Sequence, residues 1–353
     1  RRAKKPGAVA ALKPEPATGP ASSYKISDSG SFVKDDIKIN ADGITHQGDT
    51  PAALRPDLEF SSTSNIKLSD LEIGKFLGRG AAGCVNEATH KVDRRKFALK
   101  KVDILDDTTR SQLIPEIKSL LSTRSPLLVS LHDAFFEQHH VYLALEYMDA
   151  GAVQDLVKAI GPTPEPVLAA IMYQTLRATQ YLHHRKQVHR DMKPENLLAN
   201  TEGEVKIADF GIARELDATQ AAAATFVGTA LYMSPERLEG KEYSFSADIW
   251  AIGVIALSCA TGDNPYGQPK GYFELLSKIM QGPKLDDERF TPEFRDFVSH
   301  CLHKEPLLRK TAEQLLSHGF ITSHVVDEAH AKATVKSWVA LKGDTPAAEG
   351  EGQ

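Results

Sequence analysis

Apolar residues recur along this chain with two different periods, and the change between them limits the fold more than any other feature. From Leu71 to Met148 the sequence runs in short stretches rich in β-branched and alternating apolar residues: LEIGKFLGRG, CVNEATH, KFALKKVDI, VSLHDAFFE and VYLALEYM. Such stretches mark strands with one buried face. One helical stretch interrupts them at Thr108–Ser122, where Leu113, Ile117, Leu120 and Leu121 fall at helical spacing. After Ala150-Gly151 the pattern turns helical. VLAAIMYQTLRATQYLHH is long and amphipathic, DIWAIGVIALSCATG is a buried helix, and PEFRDFVSHCLH and TAEQLLSH follow. Strands first and helices afterwards imply an α+β chain in two lobes with a cleft between them. The small N-lobe has five antiparallel strands plus one helix, and the large C-lobe is mainly helical.

The two lobes occupy about residues 71–148 and 149–322. Residues 1–70 read as an N-terminal extension, partly disordered, and 323–353 as a C-terminal helix with a flexible tail. Within the extension, residues 1–23 are low-complexity, with Arg1, Arg2, Lys4, Lys5 and Lys13 preceding the first acid, Glu15. Residues 24–45 look more ordered, and 46–66 read as a linker. A net charge of −5 gives no reason to expect a general nucleic-acid binder. Cys84, Cys259 and Cys301 show neither metal-ligand spacing nor an even framework, which suits a reduced, intracellular protein. The longest apolar run, Ile249 to Ala260, is too short to span a bilayer, so no membrane is expected.

The chemistry-bearing residues are concentrated in five places. His189-Arg190-Asp191-Met192-Lys193-Pro194-Glu195-Asn196 spell H-R-D-x-K-x-x-N, and Asp209-Phe210-Gly211 follow after a strand-like run. Gly78-Arg79-Gly80-Ala81-Ala82-Gly83-Cys84-Val85 is G-x-G-x-x-G-x-V, set between two strand patterns. Glycines there suit a flexible flap whose backbone amides approach nucleotide phosphates. A dinucleotide-binding turn has similar glycines, but no βαβ unit follows them, which argues against an oxidoreductase. Lys100, in Phe97-Ala98-Leu99-Lys100, is placed as a point charge for those phosphates. Glu116, sixteen residues later on the expected helix, is the carboxylate expected to pair with it. Pro115 precedes it, and a proline there removes a helix hydrogen bond, so a kink or late start is expected at Ile114–Pro115.

Together these motifs resemble those of a protein kinase. The resemblance implies ATP and Mg²⁺, with Asp191 as catalytic base, Lys193 steadying the transferred phosphoryl group, and Asn196 and Asp209 holding the metal. It also implies an ATP site formed by the flap (Gly78, Arg79, Gly80, Ala81, Ala82, Gly83), Val85, Ala98 and Lys100. Leu145 is placed at its back, Glu146 and Met148 at the hinge, and Leu198 beneath the adenine. A catalytically silent scaffold is disfavoured, because none of Lys100, Asp191, Asn196 and Asp209 is missing.

FVGTALYMSPERLEGKEYSFSADIWAIGV and LEYMDAGAVQDLV resemble the MAP kinase kinase family, nearest in pattern to plant and algal members. This implies a dual-specificity kinase acting on the Thr and Tyr of a downstream MAP kinase. An upstream MAP kinase kinase kinase would activate it at Thr219 and Thr225. It further implies that Glu236 pairs with Arg309, and that Arg190 receives the activating phosphate. A cytoplasmic address with a share in the nucleus is expected. Residues 1–14, basic and then apolar at Val9 and Leu12, faintly resemble a MAP kinase docking motif. Ala150, Ala152 and Ala221 depart from the family pattern, and the alternative reading is a Ser/Thr kinase of a neighbouring cascade tier.

Overall fold

The computed structural model describes residues 25–27, 31–34, 37–46, 66–80, 83–104, 113, 117–121, 123, 125–209, 228, 230–283 and 288–344. Five strands form the N-lobe sheet: β5 (Leu71–Gly80), β6 (Gly83–His90), β7 (Lys96–Asp103), β8 (Leu131–Glu137) and β9 (His140–Glu146). They pair antiparallel in the order β5-β6-β7-β9-β8. A helical turn at 117–121 lies where the single helix is expected, while Pro115 and Glu116 fall outside the described residues.

The sheet has two apolar faces. Leu71, Ala88, Phe97, Leu99, Phe135 and Ala144 build a small cluster on one face, joined by Ile66 from the end of the expected linker. Val102, Ile104, Ala134, Phe136, Val141 and Leu143 belong to the main core, together with Leu113, Ile117, Leu120 and Leu121.

The extension contributes a second, antiparallel sheet of four short strands: β1 (Lys25–Ser27), β2 (Ser31–Lys34), β3 (Ile37–Asn40) and β4 (Gly43–His46). Phe32, Ile37, Ile39 and Ile44 are buried in the main core. The Phe32 ring lies 6.1 Å from that of Phe136, and the Ile44 N–H donates to Asp133 of β8 at 3.2 Å. The more ordered stretch expected at 24–45 is therefore an integral layer of the N-lobe.

The C-lobe is built on two long helices. Pro164 and Pro166 punctuate the start of α2 (Glu165–His184), after the shorter α1 (Val153–Ile160). Beyond α3 (Pro235–Leu238), α4 (Ser246–Thr261) is buried almost throughout and stops at Gly262, whose φ is +84°. Then come α5 (Tyr272–Gln281), α6 (Pro292–Cys301), α7 (Ala312–Leu316) and α8 (Gly319–Thr322). Thr291 caps α6 through the Phe294 N–H, and Thr311 forms a capping box with Gln314 on α7. The expected C-terminal helix is α9 (Glu328–Asp344), packed along α2. A small sheet, β10 (Gly151–Ala152), β11 (Leu197–Ala199) and β12 (Val205–Ile207), sits at the cleft. Among the described residues no helix is long and apolar enough to cross a membrane.

Candidate active site

Sheet register decides which N-lobe side chains face the cleft. Val85 pairs with Lys100, Ala98 with Leu145, and Lys100 with Leu143. Paired residues and their i±2 neighbours share a face, so Val85, Ala98, Lys100 and Leu145 lie on one side of the sheet. Gly80 pairs with Gly83 at the flap, while Ala81 and Ala82 fall outside the described residues. Gly83 has φ +157°, and a Cβ there would sit 1.8 Å from the Lys101 carbonyl oxygen, so only glycine fits.

Lys100 is 4% exposed, and its Nζ meets Asp209 Oδ1 at 2.8 Å. The lobes are thus bridged by two groups that the sequence places 109 residues apart. Burial works against the Asp209 charge, but Lys100, aided by His189 and Lys193, holds its carboxyl below the usual range. Asp209 has φ +54°, a left-handed conformation a non-glycine residue keeps only when its surroundings hold it.

The loop between α2 and β11 gathers the remaining groups. Asp191 Oδ2 meets Lys193 Nζ at 2.9 Å. Asn196 Nδ2 donates to the Asp191 carbonyl at 2.8 Å and to its carboxylate at 3.1 Å, which turns the Asn196 amide oxygen away from Asp191. His189 accepts the Asp191 N–H on Nδ1 at 3.2 Å and donates from Nε2 to the Ala208 carbonyl at 3.0 Å. These bonds fix its tautomer. The Asn196 amide and the Asp209 carboxylate are hard oxygen donors, a set that fits a small divalent cation sharing its shell with phosphates.

The hinge lies between β9 and β10. Glu146 Oε1 pairs with Lys206 Nζ at 2.6 Å, while the Met148 carbonyl accepts the Gly151 N–H at 3.1 Å. Leu198, on β11, pairs with Ala152 across from the hinge. Thr219 and Thr225 lie outside the described residues.

The expected anchor between Glu236 and Arg309 is present and bidentate, at 2.7 and 2.8 Å. The Arg309 side chain is fully buried, with its guanidinium 5.0 Å from the Trp250 ring centroid. Burial pushes Glu236 up, but Arg309 outweighs it and holds the carboxyl low.

Asp248 is a residue that motif reading passes over. It is 1% exposed and accepts from His183 and from the backbone N–H groups of His189 and Arg190, each at 2.9 Å. Its one sequence signal is a carboxylate in the first turn of an otherwise apolar helix, where an unpartnered charge would be costly.

The protein kinase domain family model matches residues 71–321. Mitogen-activated protein kinase kinase 1 of Arabidopsis thaliana is 40% identical over 84% of this chain and 86% of its own length. Mitogen-activated protein kinase kinase 1c of the moss Physcomitrium patens is 37% identical over 86% and 91%. The dual specificity mitogen-activated protein kinase kinase 1 of Dictyostelium discoideum is 43% identical over 59% of this chain and 32% of its own. With the domain matched across both lobes and relatives covered over most of their length, the chain belongs to the mitogen-activated protein kinase kinase family of ATP-dependent protein kinases.

Proposed function

We propose that this kinase transfers the γ-phosphoryl group of ATP to both the Thr and the Tyr of a MAP kinase activation loop. The observation that carries the reading is the convergence of Lys100, Asp209, Asp191, Lys193 and Asn196 on one cleft. Asp191 orients the acceptor hydroxyl and takes its proton, and Lys193, 2.9 Å away, steadies the moving phosphoryl group. Lys100, with Glu116 as partner, holds the α/β-phosphates beneath the flap of residues 78–83, and Asn196 and Asp209 hold Mg²⁺. The ion, when bound, neutralises charge building on the phosphates. Val85, Ala98, Leu145 and Leu198 enclose the adenine, with Glu146 and Met148 supplying backbone groups.

An upstream MAP kinase kinase kinase switches the enzyme on at Thr219 and Thr225, and Arg190 receives the phosphate. Arg190 Nε is buried and finds no hydrogen-bond partner among the described residues. Residues 1–14 dock the MAP kinase, and the enzyme works in the cytoplasm and nucleus. Incubation with a panel of kinase-dead MAP kinases, ATP and Mg²⁺ tests the reading, with phospho-Thr and phospho-Tyr measured separately. Both marks are expected from wild type and neither from Asp191→Ala. Thr labelling without Tyr labelling would reject dual specificity.

A further inference from the structure

Glu236 and Arg237 are neighbours in α3 but reach opposite partners. Glu236 turns to Arg309 in the depth of the C-lobe, whereas an Arg237 N–H donates to the backbone carbonyl of Arg190. Tyr243 serves as a platform for both cations: the Arg237 guanidinium lies 4.9 Å from its ring centroid and that of Arg190 lies 5.7 Å away.

The carbonyl that Arg237 grips belongs to the peptide joining Arg190 to Asp191. The other groups around this peptide are already tied. The Arg190 N–H donates to Asp248 at 2.9 Å, and the Asp191 N–H donates to His189 at 3.2 Å. Arg190 itself is left-handed, with φ +71°. Such a conformation in a residue with a Cβ relaxes unless its neighbours over-determine it. Asp248 and His189 hold the two N–H groups, and Arg237 holds the oxygen.

We propose that Arg237 is a positioning residue for phosphoryl transfer, clamping the Arg190–Asp191 peptide so that the Asp191 carboxylate meets the acceptor hydroxyl at a fixed angle. The inference rests on Asp191 as base but not on which protein is the acceptor. Burial lowers Arg237 from its ordinary value and Arg190 adds to that, opposed by Tyr243, Asp248 and Asp191. A guanidinium keeps its charge under such conditions and can stack and donate at once, which a lysine ammonium does not do. Because the Glu236–Arg309 pair roots the same helix, the clamp links the C-lobe core to the loop that does the chemistry.

The test compares wild type, Arg237→Ala, Arg237→Lys, Tyr243→Phe and Asp191→Ala in the full chain, using a generic basic acceptor protein. Turnover, KM for ATP, nucleotide affinity and melting temperature are measured for each. Arg237→Ala is expected to lose about tenfold to a hundredfold in kcat, with KM for ATP and melting temperature close to wild type. Dilute guanidinium should restore part of the lost turnover in this variant and none in Asp191→Ala. Arg237→Lys should recover little, and Tyr243→Phe, which keeps the ring, should lose less turnover than Arg237→Ala. A smaller fall in kcat, or one matched by losses of nucleotide affinity or melting temperature, overturns the clamp alone. Undiminished turnover in Asp191→Ala overturns the base reading and the clamp with it.

Discussion

A buried ion pair of this kinase holds one segment of the chain in place. The Glu236–Arg309 pair anchors the segment that enters α3, with two charge-assisted bonds and a fully buried guanidinium. Removing one partner leaves the other charged and uncompensated. Glu236→Ala is therefore expected to cost about 3–5 kcal/mol in chemical denaturation. A loss below about 1 kcal/mol, the size typical of an exposed pair, would show that water reaches the site. Glu236 is depressed in the folded state, so the stability it contributes is present above its ordinary value and disappears as pH falls through the folded one. Residues of this kind differ in how readable they are. Lys100, Asp191, Asn196 and Asp209 stand out in the sequence because they fall within recognisable motifs. Asp248 gives only the weak signal of a carboxylate in an apolar helix and Arg237 gives none, because their bonds to the Arg190 N–H and carbonyl run to backbone atoms.

Among the elements, the five N-lobe strands are legible because each is a run of seven to ten residues rich in apolar and β-branched side chains, long enough to stand out. The sheet of β1–β4 is only hinted at, since runs of three or four residues are too short to show a period. Helix α5 hides for another reason. Leu275 and Ile279 are buried while Phe273 and Met280 are exposed, so apolar residues occupy more than one face. Besides its buried apolar residues, the N-terminal sheet is tied to β8 by one carboxyl. Asp133 Oδ1 accepts both the Ala134 N–H at 2.8 Å and the Ile44 N–H at 3.2 Å. Burial pushes this carboxyl up to about 6 from 3.8. A group raised on folding stabilises when protonated, so its contribution is complete below the unfolded value and lost as pH rises through about 6. The difference corresponds to about 3 kcal/mol. Asp133→Asn keeps the accepting oxygen without the charge. Melting temperature across roughly pH 4–7 should fall for wild type relative to the variant, and parallel curves would sink the assignment.

At the scale of the whole molecule, segments outside the matched domain brace both lobes. Helix α9 is stitched to the C-lobe by Arg177–Glu328, Lys332–Glu204 and Lys336–Glu202, and Lys342 donates to the Ala150 carbonyl behind the hinge. Gly203 admits this close approach, because a Cβ there would sit 2.0 Å from the Lys332 carbonyl oxygen. The N-terminal sheet does the same for the N-lobe, with β3 and β4 lying against β8, one of the sheet's two edge strands. That placement has a colloidal consequence. An outermost strand offers backbone donors and acceptors to any passing chain. Here the extension stands in the way of such pairing. A fragment trimmed to residues 71–321 should therefore self-associate through β8, giving a larger species in light scattering than the full chain at equal concentration. The same light-scattering trace for both chains would mean that β8 protects itself. On this reading, part of what precedes the kinase domain guards the edge of β8 against pairing with other chains.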